Sequence, residues 1–165
     1  MATAIFFASS TGNSEEIANK ISMELNKIEV FDLAGTKIDK MNEYDKLILG
    51  GSTWGDGELN DDWEDVWGNF SKLDLSNKTI ALFGLGDQES YSDEFCSAMG
   101  IIYEQITSSG AKIIGFTSSD GYYHDASKAQ LNNQFVGLAI DEDNQSDLTD
   151  KRIKDWTNII REEIL

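Results

Sequence analysis

Five short strand-like runs, each separated from the next by a helical stripe, constrain this chain more than any other feature. The runs are Thr3–Ala8, Glu29–Leu33, Lys46–Gly50, Thr79–Phe83 and Lys112–Phe116. After the first, Ile17, Ala18, Ile21, Leu25 and Ile28 recur at helical spacing, and a brief helical piece centres on Ile38 and Met41. Trp63, Val66, Trp67 and Phe70 fall at i, i+3, i+4 and i+7, one face of a further helix. Phe95, Met99, Ile102, Tyr103 and Ile106 stripe a longer one, which Ser109-Gly110 would stop with Gly at C′. Ile153, Trp156, Ile160 and Ile164 mark the inner face of a last helix. Near-continuous apolar strands must be covered on both faces, so the alternation predicts a parallel sheet sandwiched between helices. Its crossovers should be right-handed.

One stretch interrupts the pattern. About thirty residues, from Ser118 to Asp147, separate the fifth strand from the last helix, too long for a structureless loop in a compact domain. Within them Phe135–Ile140 reads as the edge strand continuing after an inserted excursion, Tyr122–Gln134. No proline, repeat or linker breaks the chain elsewhere, and 165 residues suffice for one domain over 1–165 that buries about 70% of its unfolded surface.

In a doubly wound sheet, ligands bind beyond the carboxyl ends of the strands, where strand order reverses. The chemistry is therefore expected in the loops after strands one, three and four. The first is Ser9-Ser10-Thr11-Gly12-Asn13-Ser14, a hydroxyl-rich turn that opens a helix. A helix start offers unpaired N–H groups and the positive end of its dipole, so this turn suits an anion. With neither Lys nor Arg in it, the anion would be held by neutral donors. The stretch lacks both the Gly-Lys-Ser/Thr ending of a Walker loop and the Gly-x-Gly-x-x-Gly of dinucleotide sites. The second loop runs Gly51-Ser52-Thr53-Trp54-Gly55-Asp56-Gly57-Glu58-Leu59, and the third Gly84-Leu85-Gly86-Asp87-Gln88-Glu89-Ser90-Tyr91. Each combines glycines, a carboxylate and one large aromatic. Trp54 and Tyr91 could clamp a flat ring by offset stacking. Together the three loops describe a planar heterocycle carrying one phosphate.

Four motifs in this order, S-S-T-G-N-S, S-T-W-G-D-G-E-L, G-L-G-D-Q-x-x-Y and D-G-Y…F-V-G-L-A-I-D-E-D-N-Q-S-D-L-T, resemble the flavodoxins over essentially the whole chain. The last motif and the excursion resemble the long-chain subgroup. The resemblance implies a flavodoxin-like, doubly wound, five-stranded parallel sheet of order 2-1-3-4-5, helices on both faces, with the fifth strand interrupted by an insertion. Flavodoxins are themselves an example of the switch-point rule, with FMN at the first/third-strand crevice. By resemblance, Ser9, Ser10, Thr11, Gly12, Asn13 and Ser14 would bind the phosphate. Ser52, Thr53 and Trp54 belong to the loop covering the inner ring face, and Tyr91 would stack on the outer face. Leu85, Gly86 and Asp87 match the loop at the pyrimidine edge, and Asp143 a position near the ribityl chain. The peptide between Gly55 and Asp56, just before Gly57, matches one that flips to accept a hydrogen bond from reduced flavin.

The implied function is that of a low-potential one-electron carrier on non-covalent FMN, shuttling between semiquinone and hydroquinone among redox enzymes, with no catalytic residue of its own. A flavin-dependent reductase and a non-redox FMN-binding module are the alternatives. A phosphorylatable receiver domain would need paired acids after the first strand, where Ser9-Ser10 stand, and an Asp where strand three ends in Gly50-Gly51. A low-molecular-weight phosphatase would need Cys and Arg in the first loop.

Thirty acidic against 13 basic residues give a formal net charge of −17, which disfavours nucleic acid and anionic membranes. It favours basic partner surfaces; the resemblance implies that these belong to reductase-like donors and low-potential acceptors, met by a monomer through acids near the flavin. The acidic run Asp61, Asp62, Glu64 and Asp65 also suits a helix start. The single cysteine, Cys96, reads as a buried helix residue and fits a reducing, cytoplasmic setting. Asp141–Gln145 lacks the Gly and terminal Glu of a calcium loop, and the single histidine, His124, reads as a surface loop residue; no metal site is expected.

Overall fold

The computed structural model describes residues 2–9, 12–54 and 56–165. In chain order the elements are β1 (Thr3–Ala8), α1 (Asn13–Glu24), β2 (Glu29–Asp32), β3 (Lys46–Trp54), β4 (Glu58–Leu59) and α2 (Asp61–Phe70). Then follow β5 (Thr79–Leu85), α3 (Ser97–Ser108), β6 (Lys112–Ile114), β7 (Thr117–Ser118), β8 (Gln130–Leu131), β9 (Gln134–Phe135), β10 (Leu138–Ile140) and α4 (Thr149–Ile164). Short 3-10 turns at Leu33–Gly35, Ile38–Glu43, Ser92–Glu94 and Ser146–Leu148 complete the connections.

The main sheet is parallel, in the order β2-β1-β3-β5, and both β6 and β10 pair with the outer edge of β5. β6 pairs with Thr79–Ala81 and β10 with Phe83–Leu85, so the fifth strand is laid down in two pieces on one neighbour. This is the expected 2-1-3-4-5 order with an interrupted edge strand. The interruption is wider than the sequence suggests. Gln134–Phe135 does not continue the edge; it joins β7 and β8 in a small antiparallel sheet of the insertion's own. Phe135 turns inward to pack against Phe95 and Tyr122, and the chain rejoins the main sheet only after Gly137, where a Cβ would stand 2.2 Å from the Leu82 carbonyl.

Alternation along each strand divides the core into two layers. Ala4, Phe6, Leu47, Leu49, Ile80 and Leu82 face Trp63 and Phe70 of α2 and Met99, Ile102 and Ile106 of α3. Ile5, Phe7, Ile48, Ala81 and Phe83 face Ile17 and Ile21 of α1 and Ile153, Trp156 and Ile160 of α4. Each of the Leu, Ile, Phe and Met side chains among them, fully withdrawn from water, contributes on the order of 1.5–3 kcal/mol. Asn60 caps α2, its side-chain oxygen accepting from the Trp63 N–H at 3.4 Å. α1 ends earlier than its apolar spacing implies, because Asn26 and Lys27 adopt left-handed φ of 63° and 61°; Leu25 and Ile28 still pack in the layer facing α1 and α4. Phe95 lies just before α3 rather than in it, yet is fully buried. No helix among the described residues is long and apolar enough to cross a membrane.

Candidate functional site

At the carboxyl ends of β1, β3 and β5 three segments approach one another. β1 runs into Ser9, whose hydroxyl accepts from the Gly12 N–H at 2.9 Å. Gly12, at φ +92°, is the N-cap of α1 and has no side chain with which to cover the helix's leading N–H groups. Ser14, fully buried in the first turn, shares a 2.9 Å hydroxyl–hydroxyl hydrogen bond with Ser52, tying the head of α1 to β3. Ser10, Thr11 and Gly55, expected in the site, lie outside the described residues, and with Gly55 the proposed peptide flip.

β3 continues through Ser52, Thr53 and Trp54, which the sequence places in a loop. β4 supplies the reason: it folds back antiparallel on β3, Trp54 facing Glu58 and Thr53 facing Leu59. The turn between them is closed by the Gly57 N–H donating to the Trp54 carbonyl at 3.1 Å. Thr53 has a second task that its position in the sequence does not reveal. Its Oγ1 accepts from the Ala98 N–H at 3.1 Å and so caps α3, whose own N-cap, Cys96, makes no side-chain capping bond. Cys96 is fully buried, and burial pushes its thiol well above the usual range.

A hollow of about 220 Å³ opens between these segments, lined by Asn13, Ser52, Thr53, Trp54, Leu85, Gly86, Asp87, Tyr91, Glu142 and Asp143. Nine of these were expected from the sequence; Glu142 was not. Ser9, Gly12, Ser14, Asp56 and Gly57 do not line it. Asp56 borders an adjoining hollow that Tyr91 shares. Trp54 and Tyr91 are 47% and 52% exposed, whereas Trp63 and Trp156 are essentially sealed. A wider depression of about 690 Å³ lies between α1 and α4. Its walls are charged helix surface around Met23 and Ile153, without an aromatic ring, so it lacks the means to grip a flat ligand.

The hollow is rimmed by carboxylates in unequal settings. Burial pushes Asp87 upward, but hydrogen bonds from the Ser90 N–H, the Asn144 side chain and the Glu89 N–H outweigh it and hold the group below its ordinary value. Asp143 is raised, first by partial burial and then by the like charges of Asp87 and Asp141. With a depressed folded value, Asp87 contributes stability above the ordinary Asp range, near pH 4, and loses it as pH falls through the lower folded value. Asp87→Ala should therefore lower the urea midpoint at pH 7 and lose less stability than the parent between about pH 5 and pH 2. Identical acid profiles would show that the carboxylate holds nothing.

Two further residues at the site escaped sequence reasoning. Asp141 is fully buried and accepts five N–H donors from Gln88, Asp143 and Asn144. Gln88 is 3% exposed and bridges Asp141 to the Tyr123 N–H of the insertion. Only the position of Asp141, directly after the last strand residue, could have signalled this. His124 is not a free surface residue: its ring packs on Phe95 and Phe135 at 5.2 Å, and its Nε2 meets Gln130 Oε1 at 2.5 Å. Among the described residues no group of three or more His, Cys, Asp or Glu could hold a metal ion.

Comparison with known proteins gives a consistent result. The family model described as flavodoxin matches residues 5–156. A flavodoxin of Picosynechococcus sp. is 46% identical over 155 residues, covering 92% of this chain and 91% of the relative. Flavodoxin 1 of Escherichia coli is 44% identical over 165 residues, covering 98% and 94%. Among solved structures, the Fusobacterium nucleatum flavodoxin bound to flavin mononucleotide superposes with a TM-score of 0.93 at 32% identity, covering 100% of each chain.

Proposed function

Because the chain belongs to the flavodoxin family, we infer that it carries single electrons on one non-covalently bound FMN and turns over no substrate of its own. The observation that carries this reading is the pair Trp54 and Tyr91, about half exposed on one hollow at the strand ends. Its donor set fits the cofactor. The uncovered head of α1 suits a phosphate, and two flat side chains suit a ring. The hollow of about 220 Å³ is smaller than the roughly 300–1,000 Å³ of enclosing sites, which suits a ring left open at one edge.

FMN, when bound, supplies the one-electron chemistry. The residues of the chain set its terms. N–H groups at the start of α1, with Ser9 bracing Gly12, hold the phosphate without a neutralising side chain. Trp54 and Tyr91 cover the ring faces and exclude water from them. Asp87, Glu142 and Asp143 add negative charge beside the ring and resist a further one on it, which lowers the potential. We assign docking to the exposed acids around α2 and the neighbouring turns, toward basic surfaces of a reductase-like donor and low-potential acceptors, by a single-domain monomer.

Denaturing the purified protein should release one FMN per chain, identified by chromatography; FAD, or no chromophore, would overturn the reading. The holoprotein should consume no reduced nicotinamide unless a separate reductase is added. Unaided consumption would favour a reductase instead.

A further inference from the structure

The turn that follows β10 and the loop that follows β5 meet on one buried carboxylate. Asp141 Oδ2 accepts from the Gln88 N–H at 3.0 Å, Gln88 Nε2 at 2.7 Å and Asn144 Nδ2 at 2.9 Å. Its Oδ1 accepts from the N–H groups of Asp143 at 3.1 Å and Asn144 at 3.0 Å. An ionised carboxylate offers about four lone-pair sites, so these donors saturate it and leave no place for an N–H in its stead.

The network then spreads to three segments. Gln88 directs Nε2 at Asp141, which leaves its Oε1 for the Tyr123 N–H of the insertion at 2.6 Å. Asn144 uses the same amide nitrogen to reach Asp87 Oδ1 at 2.8 Å. The Asp87 carbonyl accepts from the Tyr91 N–H at 3.0 Å, so the ring-bearing residue hangs from the same assembly. Asp141 and Gln88 are the buried centre of this network, with Asn144 and Tyr123 at its exposed edge; buried polar groups that are fully satisfied hold one geometry and lose it when partly broken.

We propose that Asp141 and Gln88 are positioning residues for the flavin, a clasp that holds Asp87 and Tyr91 at the hollow and fastens them to the insertion through Tyr123. Neither residue lines the hollow, so both act through Tyr91 and Asp87. The proposal rests on the reading that Tyr91 faces the flavin ring. It also gives the insertion a part in cofactor grip that its distance along the chain conceals.

The test uses FMN-loaded protein carrying Gln88→Ala, Asp141→Asn, both together, or Tyr91→Ala. Two quantities are read: release of FMN on dilution, followed by recovery of flavin fluorescence, and residual fluorescence of the flavin that stays bound. Gln88→Ala keeps the backbone N–H bond to Asp141 but loses the Nε2 bond to that buried charge and the acceptor for Tyr123 N–H, and should raise the dissociation constant about tenfold or more. Bound flavin should become brighter, a change that mere loss of overall stability would not cause. The double variant should be no worse than the weaker single one, since both break one network. Asp141→Asn turns an amide toward five donors and can fail to fold; Gln88→Ala then decides alone. If Gln88→Ala matches the parent in both readouts while Tyr91→Ala changes them, the clasp is refuted and the site reading stands. If Tyr91→Ala is silent as well, the site reading itself fails. Tyr123→Pro, which removes the donor N–H, should shift both readouts in the parent and add nothing to Gln88→Ala. Full additivity would refute the link from the insertion.

Discussion

Replacing Tyr91 by alanine should weaken FMN binding by about 1–3 kcal/mol, the scale of losing aromatic burial and stacking together. That corresponds to a dissociation constant roughly 5- to 150-fold higher. The expectation follows from the way the fold treats its aromatic residues. Trp63 donates its indole N–H to the Gly50 carbonyl at 3.1 Å and Trp156 to the Gly115 carbonyl at 2.8 Å, both deep in the core. Tyr91 and Trp54 instead remain about half exposed beside one hollow. A ring slotted against Tyr91 would remove that apolar surface from water and quench the flavin's emission. The loss should appear in dilution or equilibrium titration, and residual fluorescence of the bound flavin should rise with it. A variant with the parent's dissociation constant and emission would show that Tyr91 does not face the ring.

Electron transfer from a cationic flavodoxin reductase should slow by about tenfold or more between ~0.01 M and ~0.5 M ionic strength, as steered association does when screened. The screening length contracts over that range from about 30 Å to roughly 4 Å. Asp56 and Glu58 beside Trp54, Asp61, Glu64 and Asp65 in the first turns of α2, and Glu89 after β5 are exposed, with Asp62 half-buried and Asp87 lining the hollow. Among the described residues none of these acids enters an ion pair; the pairs found involve Glu16, Glu43, Glu94, Asp150, Asp155 and Glu163. Asp62 is raised above its ordinary value, by burial first and then by Asp32, Asp65 and Asp61, as mutual repulsion in an unneutralised cluster requires.

Changing Asp61, Asp62 and Asp65 together to Asn should therefore flatten the salt dependence more than changing Glu162 and Glu163 to Gln. The second pair sits at the far end of the sheet, where Thr3 Oγ1 donates to the Ile164 carbonyl, and Glu163 is already matched by Lys112 at 2.5 Å. Stopped-flow reduction across salt, run for both variants, reads this directly. If both keep the parent's slope, the docking face lies elsewhere. A small, transient interface is what such a carrier needs, because it must leave one partner to reach the next.

Much of this was legible in the chain because it depends on neighbours in sequence. Strand runs and helical stripes announce themselves by period, so the parallel sheet, its helical cover and the buried faces of α2 and α4 follow from spacing alone. The hydroxyl-rich start of α1 and the lone aromatics Trp54 and Tyr91 are likewise local signals. The family motifs then supplied the strand order and the FMN reading.

What periodicity does not carry is any partnership between distant residues. Gly50 and Gly51 read from sequence as a strand end, yet a Cβ on Gly50 would sit 2.3 Å from the Phe83 ring, so close packing of two strands demands the glycine. Thr53 caps a helix that begins 44 residues later, the difference between Thr53 and Ser97. Gln88 finds Asp141 across 53 positions, and the insertion folds its own small sheet before β10 rejoins the edge. The sequence by itself determined the runs that form the main parallel sheet, which faces are apolar and which loops carry the hydroxyls and lone aromatics of the candidate site, because spacing and residue chemistry act over a few positions. Only the tertiary structure decided which groups satisfy one another at the site, because a buried donor or carboxylate takes whatever partner the packed chain brings within hydrogen-bonding distance.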